Sequence, residues 1–333
     1  MDKHASSSLA LPPYVVGVDV GGSKIASALV DSMGHLSGYV RIPTDVSSPE
    51  ATLESIASAV RQSMSTGLPQ ARAVISVGLG IPGLVDADKG IGLASVNLGW
   101  HDVAVRDGLQ ARLSLPCAIE NDVRAAALGE ARFGAGMGLD SLVLLSIGTG
   151  IAAAVILGKV LHRGAHGLAG EIGHAVLDPD GPPCKCGGRG CFEALASGPA
   201  IAARAAQKMR RAGVSSLGGD PLAGPQSLTA RDVFAAAAQG NPLAQETVCE
   251  VADYVALAVQ FLALAYDPQV IVLSGGVSQA GGSFLDLVRS ALERLAKENW
   301  VFRGVYSPDL LKLSRLGEDL GILGAAALVA PLP

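Results

Sequence analysis

Residues 171–193 read EIGHAVLDPDGPPCKCGGRGCFE. Between its two terminal glutamates the stretch carries one histidine and three cysteines, and its glycines and prolines leave no apolar periodicity with which to bury a core. Something other than packing has to order it. His174, Cys184, Cys186 and Cys191 offer one imidazole and three thiolates, the closed tetrahedral donor set that structural zinc takes. Gly187, Gly188 and Gly190 follow the C-x-C turn and let the backbone fold tightly enough for the sulfurs to converge. Metal binding supplies the folding free energy that so short a loop lacks. A disulfide with a spare thiol is the competing reading, but cysteines one residue apart bridge poorly. The remaining cysteines, Cys117 and Cys249, stand alone in apolar surroundings and read as buried small hydrophobes. A closed metal site does no chemistry itself; it can hold Glu171, His174 and Glu193 as a fixed polar binding wall.

The whole chain sets the bounds around this knot. Its 333 residues exceed what one core usually serves, so two domains are expected. Formal charge is −5, with both signs interspersed and no basic stripe, which argues against a nucleic-acid partner. The opening MDKHASSSLALPP has one lysine and a very short apolar run, too little for a signal peptide, and residues 1–13 read as a flexible terminus. The most apolar segment, 251–266, is broken by Asp253 and Gln260 and is too short for a membrane span. The expectation is a soluble cytoplasmic protein with no membrane partner.

Taken in order, residues 15–20 form a β-branched apolar run that ends in Gly21, Gly22, Ser23 and Lys24 before a second strand at 25–31 and a third at 36–42. The glycines join strand to strand, so neither a Walker loop nor a dinucleotide fingerprint is present; such a turn can still offer backbone N–H groups to phosphate. An amphipathic helix is expected over 49–64 and a strand over 73–79, which meets the bulk-free corner Gly80-Ile81-Pro82-Gly83. After an irregular region holding Asn97, Trp100 and His101 come a helix at 103–113, a strand at 117–119 and a helix at 123–133, opened by Glu120-Asn121-Asp122. Asp122 reads either as a helix cap or as a carboxylate placed to take a proton from a bound hydroxyl.

The pattern then repeats: a strand at 141–147, the turn Gly148-Thr149-Gly150 and a strand at 151–157 mirror the start of the chain. Two such units suggest related domains gripping one phosphate chain. Helices follow at 198–212, 229–239 and 242–266, with a loop at 213–226; a buried strand at 270–273 ends in Gly275 and Gly276, where a flat ligand can approach closely, and helices at 284–297 and 321–330 complete the chain.

DVGGSK, GIPG at 80–83, NLGW at 97–100, END at 120–122, SIGTGI at 146–151, GEIGH, the CxCGxxGCxE run and LSGG together resemble the ROK family of sugar kinases, and within it the bacterial ATP-dependent glucokinases. The resemblance implies an α/β, two-lobed actin/hexokinase-like (ribonuclease H-like) ATPase fold with a structural zinc loop. It implies a small lobe of residues 14–121 plus 318–333 and a large one of 122–317, with ATP held in the cleft. It further implies that Asp122 is the general base, that Asn97, Asn121, Glu171, His174 and Glu193 bind sugar hydroxyls, and that Gly83 lies close to the ring. Gly21, Gly22, Ser23, Lys24, Gly148, Thr149 and Gly150 would embrace the phosphates, Asp19 would sit near Mg2+, and Gly275 with Gly276 would border adenosine. Ser23 departs from the threonine frequent in the family but keeps the hydroxyl. A hexose and ATP are the implied partners, a homodimer or homotetramer the implied assembly, and phosphoryl transfer to a hexose, foremost glucose, the implied activity. Kinases for N-acetylmannosamine or another hexose and a silent sugar sensor are the alternatives; about a dozen residues ahead of the first strand are too few for the winged helix of the family's repressors.

Overall fold

A computed structural model of the protein describes residues 14–67, 73–217 and 227–329. The expected flexible terminus at 1–13 and the loop beyond residue 217 lie outside the described residues. The chain divides into two compact units, Met1–Gly129 with Glu318–Pro333, and Glu130–Gly317.

The first unit is built on β1 (Tyr14–Val20), β2 (Lys24–Val30) and β3 (Leu36–Pro43). β1 and β2 are apolar on both faces and almost wholly buried, as a central strand pair requires. They form an antiparallel hairpin in which Val20 faces Ile25, leaving Gly21 to Ser23 outside the strands. α1 (Pro49–Gly67) covers one face with Leu53, Ile56, Ala57 and Val60, residues at helical spacing. β4 (Val74–Ile81) and β8 (Cys117–Asn121) then extend the sheet in parallel, giving the order β3-β2-β1-β4-β8.

The region between Gly83 and residue 103, read from sequence as irregular, instead folds as a small antiparallel sheet of β5 (Leu84–Asp86), β6 (Ile91–Ser95) and β7 (Trp100–Ala104). These strands are too short to show alternation, and β7 takes the residues at which a helix was expected to begin. The helix α2 (Val105–Leu113) starts after it, and α3 (Asp122–Phe133) follows β8. Residues 122–129 therefore belong with the first unit, not with the second as the sequence reading placed them.

The second unit repeats the plan. β9 (Leu142–Ile147), β10 (Ile151–Leu157) and β11 (Val160–His162) form an antiparallel meander, and β12 (Val270–Ser274) and β13 (Leu311–Leu313) add in parallel, giving β11-β10-β9-β12-β13. The strand order matches that of the first sheet position for position. α4 (Phe192–Ala196), α5 (Gly198–Ala212), α6 (Ala230–Ala238), α7 (Pro242–Tyr266), α8 (Gly282–Glu298) and α9 (Trp300–Val305) pack around it.

α7 is the one helix among the described residues long and apolar enough to cross a membrane, but Val248, Val251, Ala252, Val255 and Val259 bury its apolar face in the core of this unit. Cys249 lies on the opposite face and is exposed, which corrects its reading as a buried hydrophobe; Cys117 is buried as expected, and burial lifts its thiol to about 11.

The last helix, α10 (Leu320–Ala327), returns to the first unit. It lies so close across β1 and β4 that a Cβ on Gly17 would sit 2.1 Å from the Ile322 carbonyl oxygen, and one on Gly78 1.9 Å from that of Ala325.

Candidate active site and metal centre

In the first unit the junction of β8 and α3 gathers three of the expected residues. Asn121 Oδ1 accepts the N–H groups of Val123 and Arg124, each at 3.1 Å, so Asn121 is the helix cap. Its Nδ2 donates to the Gly83 carbonyl at 3.1 Å and to Asp122 Oδ1 at 2.9 Å. Behind it the fully buried Glu120 accepts the Asn121 N–H and pairs with Arg124 Nε, both at 2.9 Å. The capping role therefore falls to Asn121. Asp122 also takes the Val123 N–H through Oδ1 at 2.9 Å, while its Oδ2 has no partner among the described residues.

Burial, with the nearby Asp19 carboxylate adding to it, pushes Asp122 up to about 6. Asp19, at the end of β1, is itself raised by burial, against the opposing pull of Lys24 and Arg41. Asp19 and Asp122 are neighbouring buried carboxylates, a donor set suited to a divalent cation.

The first glycine turn is tightly held. Gly21 N–H donates to the Lys24 carbonyl at 2.9 Å, Thr44 Oγ1 donates to the Gly21 carbonyl at 2.7 Å, and Thr44 N–H donates to the Ser23 carbonyl at 3.2 Å. Asn97 backs onto this turn: a Cβ on Gly22 would come within 2.7 Å of its carbonyl oxygen. Lys24 and Ser23 are exposed.

In the second unit GEIGH is anchored on β10. Ala153 N–H donates to the Gly170 carbonyl at 2.7 Å, and a Cβ on Gly173 would lie 2.2 Å from the Ile151 carbonyl oxygen. Glu171 and His174 flank that contact and are both exposed. His174 Nδ1 lies 3.8 Å from Cys184 Sγ, and Cys186 Sγ lies 3.6 Å from Cys191 Sγ. All four donor atoms fall within 4.8 Å of one another, and none of the cysteines is in a disulfide. Tetrahedral zinc with bonds of about 2.3 Å to sulfur would separate its ligands by roughly 3.8 Å, so the cluster has the size of a metal shell.

A miniature hairpin bridging Pro183 and Arg189 brings the sulfurs together, with Cys184 N–H on the Gly188 carbonyl at 2.8 Å. The Gly188 backbone N–H, helped by the neighbouring thiols, brings Cys186 down to about 7, whereas burial pushes Cys191 up to about 12. A bound cation would ionise both outright.

Cys191 also opens α4, whose second residue is Glu193. Glu193 Oε2 accepts the Ile151 N–H at 3.0 Å and lies 2.8 Å from where a Cβ on Gly150 would stand. The residue read as a sugar ligand thus has one oxygen engaged in holding the second glycine turn, and its Oε1 remains for another donor. On the other side of that turn Gly198 N–H donates to the Gly148 carbonyl at 2.8 Å.

A cavity of about 1010 Å³ adjoins the turn. Small-molecule sites commonly run to about 1,000 Å³, so it is large enough for a nucleoside. Thr149 and Gly198 line it together with Arg231 and Phe234 of α6 and with Gly276 and Gln279. Gly276 is thus one of its lining residues. Gly275 does not line the cavity; at φ 84° it backs onto Ile147, whose carbonyl oxygen a Cβ would meet at 2.5 Å. Arg231 and Phe234 were missed because nothing in their helical spacing marks a ligand face.

The model of the ROK family matches residues 15–331. The chain belongs to the ROK family. It is 34% identical to the glucokinase of Streptomyces coelicolor over 319 residues, 94% of this chain and 96% of that protein. The crystal structure of a ROK family glucokinase from Streptomyces griseus, in complex with glucose and AMPPNP, superimposes with a TM-score of 0.78 at 33% identity and covers 95% of this chain and 98% of that one. The xylose repressor of Bacillus subtilis is similar at 28% identity over 95% of this chain, but over only 77% of its own length. The fold is accordingly the actin/hexokinase-like fold of the ROK glucokinase structures.

Proposed function

We propose that the protein is an ATP-dependent hexose kinase that transfers the γ-phosphoryl group to the 6-hydroxyl of glucose. The observation that carries this reading is the Oδ2 of Asp122, which has no partner among the described residues. Asn121 caps the helix, so the carboxylate is left with an oxygen free to take a proton. The full-length likeness to glucokinases supports the choice of reaction and of sugar.

In this reading Asp122 accepts the proton of the attacking hydroxyl. A group at about 6 is ionised at neutral pH yet more basic than a free carboxylate, which suits a general base. Asn121, Asn97 and the backbone at Gly83 serve neighbouring hydroxyls, and Glu171, His174 Nε2 and Glu193 Oε1 accept or donate to the others. Requiring each hydroxyl as a donor discriminates between sugars better than apolar contact does, because a missing bond strands a buried polar group. The glycine turns hold the phosphates and the cavity beside Thr149 holds adenosine. Mg2+ at Asp19 would neutralise charge on the transferring group, and Zn2+ in the one-histidine, three-cysteine shell would be structural. Five cysteines with no disulfide among them suit the reducing cytoplasm.

A coupled ADP-release assay over glucose, mannose, fructose, glucosamine and N-acetylmannosamine tests the proposal. Glucose should give the highest kcat/KM. Release of ADP with a different sugar preferred would replace the substrate, and sugar binding without ADP release would favour a sensor, the alternative that the likeness to a xylose repressor raises.

A further inference from the structure

The two glycine turns carry the same device in different materials. In each, the carbonyl of the first glycine is taken up from outside the turn: Gly21 by the Thr44 hydroxyl at 2.7 Å, and Gly148 by the Gly198 N–H at 2.8 Å. No peptide bond among the described residues is cis, and a trans peptide points its C=O and its following N–H in opposite directions. Anchoring the Gly21 carbonyl on Thr44 therefore aims the Gly22 N–H away from Thr44. Anchoring Gly148 on Gly198 likewise aims the Thr149 N–H. Gly22, Ser23, Thr149 and Gly150 all lie outside the strands, and their N–H groups meet no acceptor among the described residues. Their donors are thus left for an acceptor that the fold does not provide.

Thr44 is half-buried and sits just beyond the end of β3. It adds a second hold, since its own N–H takes the Ser23 carbonyl at 3.2 Å. One residue thereby fixes two of the turn's peptide planes, one through its side chain and one through its backbone. Only the first of these depends on the hydroxyl.

We infer that Thr44 is a positioning residue of the first phosphate turn, whose hydroxyl holds the Gly21 carbonyl so that the Gly22 N–H faces a phosphate oxygen of the nucleotide. The inference rests on the reading that the glycine turns take the phosphate chain. An N–H already aimed at its acceptor binds without reordering the turn, and that preorganisation is lost when the carbonyl can rotate. Thr44 touches no reacting atom in this scheme.

Thr44→Val removes the hydroxyl at nearly constant shape, and Thr44→Ser restores it. The full chain is titrated with MgADP and with adenosine, and kcat and KM are measured for ATP and for glucose. Thr44→Val should weaken MgADP and raise the KM for ATP about tenfold, the scale of one charge-assisted hydrogen bond. Adenosine affinity and the KM for glucose should stay within about twofold of the parent, and Thr44→Ser should recover most of the MgADP affinity. Unchanged MgADP affinity in Thr44→Val overturns the inference. So does an equal loss for adenosine and MgADP that tracks a fall in Tm and that serine does not repair, since that marks a role in folding alone. A parent chain that binds MgADP no better than adenosine instead removes the reading on which the inference rests.

Discussion

Asp122 and Glu193 occupy matching places and do different work. Each is a carboxylate in the first turn of a helix, Asp122 at the start of α3 in the first unit and Glu193 near the start of α4 in the second. Asn121 relieves Asp122 of capping and leaves one of its oxygens open, in surroundings that resist its ionisation. Glu193 gives an oxygen to the Ile151 N–H and so holds a glycine turn in shape. A shared position at a helix start does not set the role of a carboxylate. What sets it is where the engaged oxygen goes, to the carboxylate's own helix start for Asp122 and to a distant turn for Glu193.

The sharpest way to break the comparison is Asp122→Asn. Turnover should fall by about 10²- to 10⁴-fold with sugar affinity retained, as for loss of a general base; near-normal kcat would remove Asp122 from the chemistry. The same variant should be more stable at pH 7.5 than the parent. The folded chain keeps the Asp122 proton up to about pH 6, whereas the unfolded chain releases it near 3.8, so the stability linked to this group is present below 3.8 and lost as pH rises through about 6. An amide escapes that loss, which is on the order of 1–3 kcal/mol, and thermal melts at pH 7.5 and pH 4 would read it.

Second in size is Cys186→Ser. Losing a ligand should release the metal, lower Tm and raise the KM for glucose about 10- to 100-fold, with metal content followed by atomic absorption; unchanged glucose affinity in metal-free protein would detach the binding wall from its scaffold. Glu193→Ala should loosen the second turn and raise the KM for ATP about tenfold, while Glu193→Gln, which can still accept the Ile151 N–H, should spare it. Equal effects of the two substitutions would erase the contrast with Asp122. The smallest and most diagnostic effect is the pH profile. The acid limb of kcat/KM should have its midpoint near pH 6, set by the raised Asp122, and a midpoint near 4 would mean that substrate or magnesium lowers it again.

Much of this was legible before any coordinates. The β-branched runs flanking each glycine turn announced paired strands, and GEIGH with the cysteine run announced both the metal shell and the family. The short strands β5–β7 were not legible, since three to five residues show no clear period. The division of labour between Asn121 and Asp122 was hidden too, because both residue types cap helices equally well and only geometry tells which one does. Thr44 and Glu193 hold turns distant from them in sequence, and no local pattern encodes such a hold. The buried Glu120–Arg124 pair joins the end of β8 to the first turn of α3, so no single-element period announces it.

The placement of α10 has a consequence for how the chain is made. Strands β1 and β4 are made well before α10, yet their bare glycine surface is sheathed by that helix. About 240 residues of synthesis separate β4 from α10, which at roughly 5–20 residues per second leaves that surface uncovered for some tens of seconds. The first unit is thus begun well before it can be finished, and the nascent chain should lean on holding chaperones until α10 arrives.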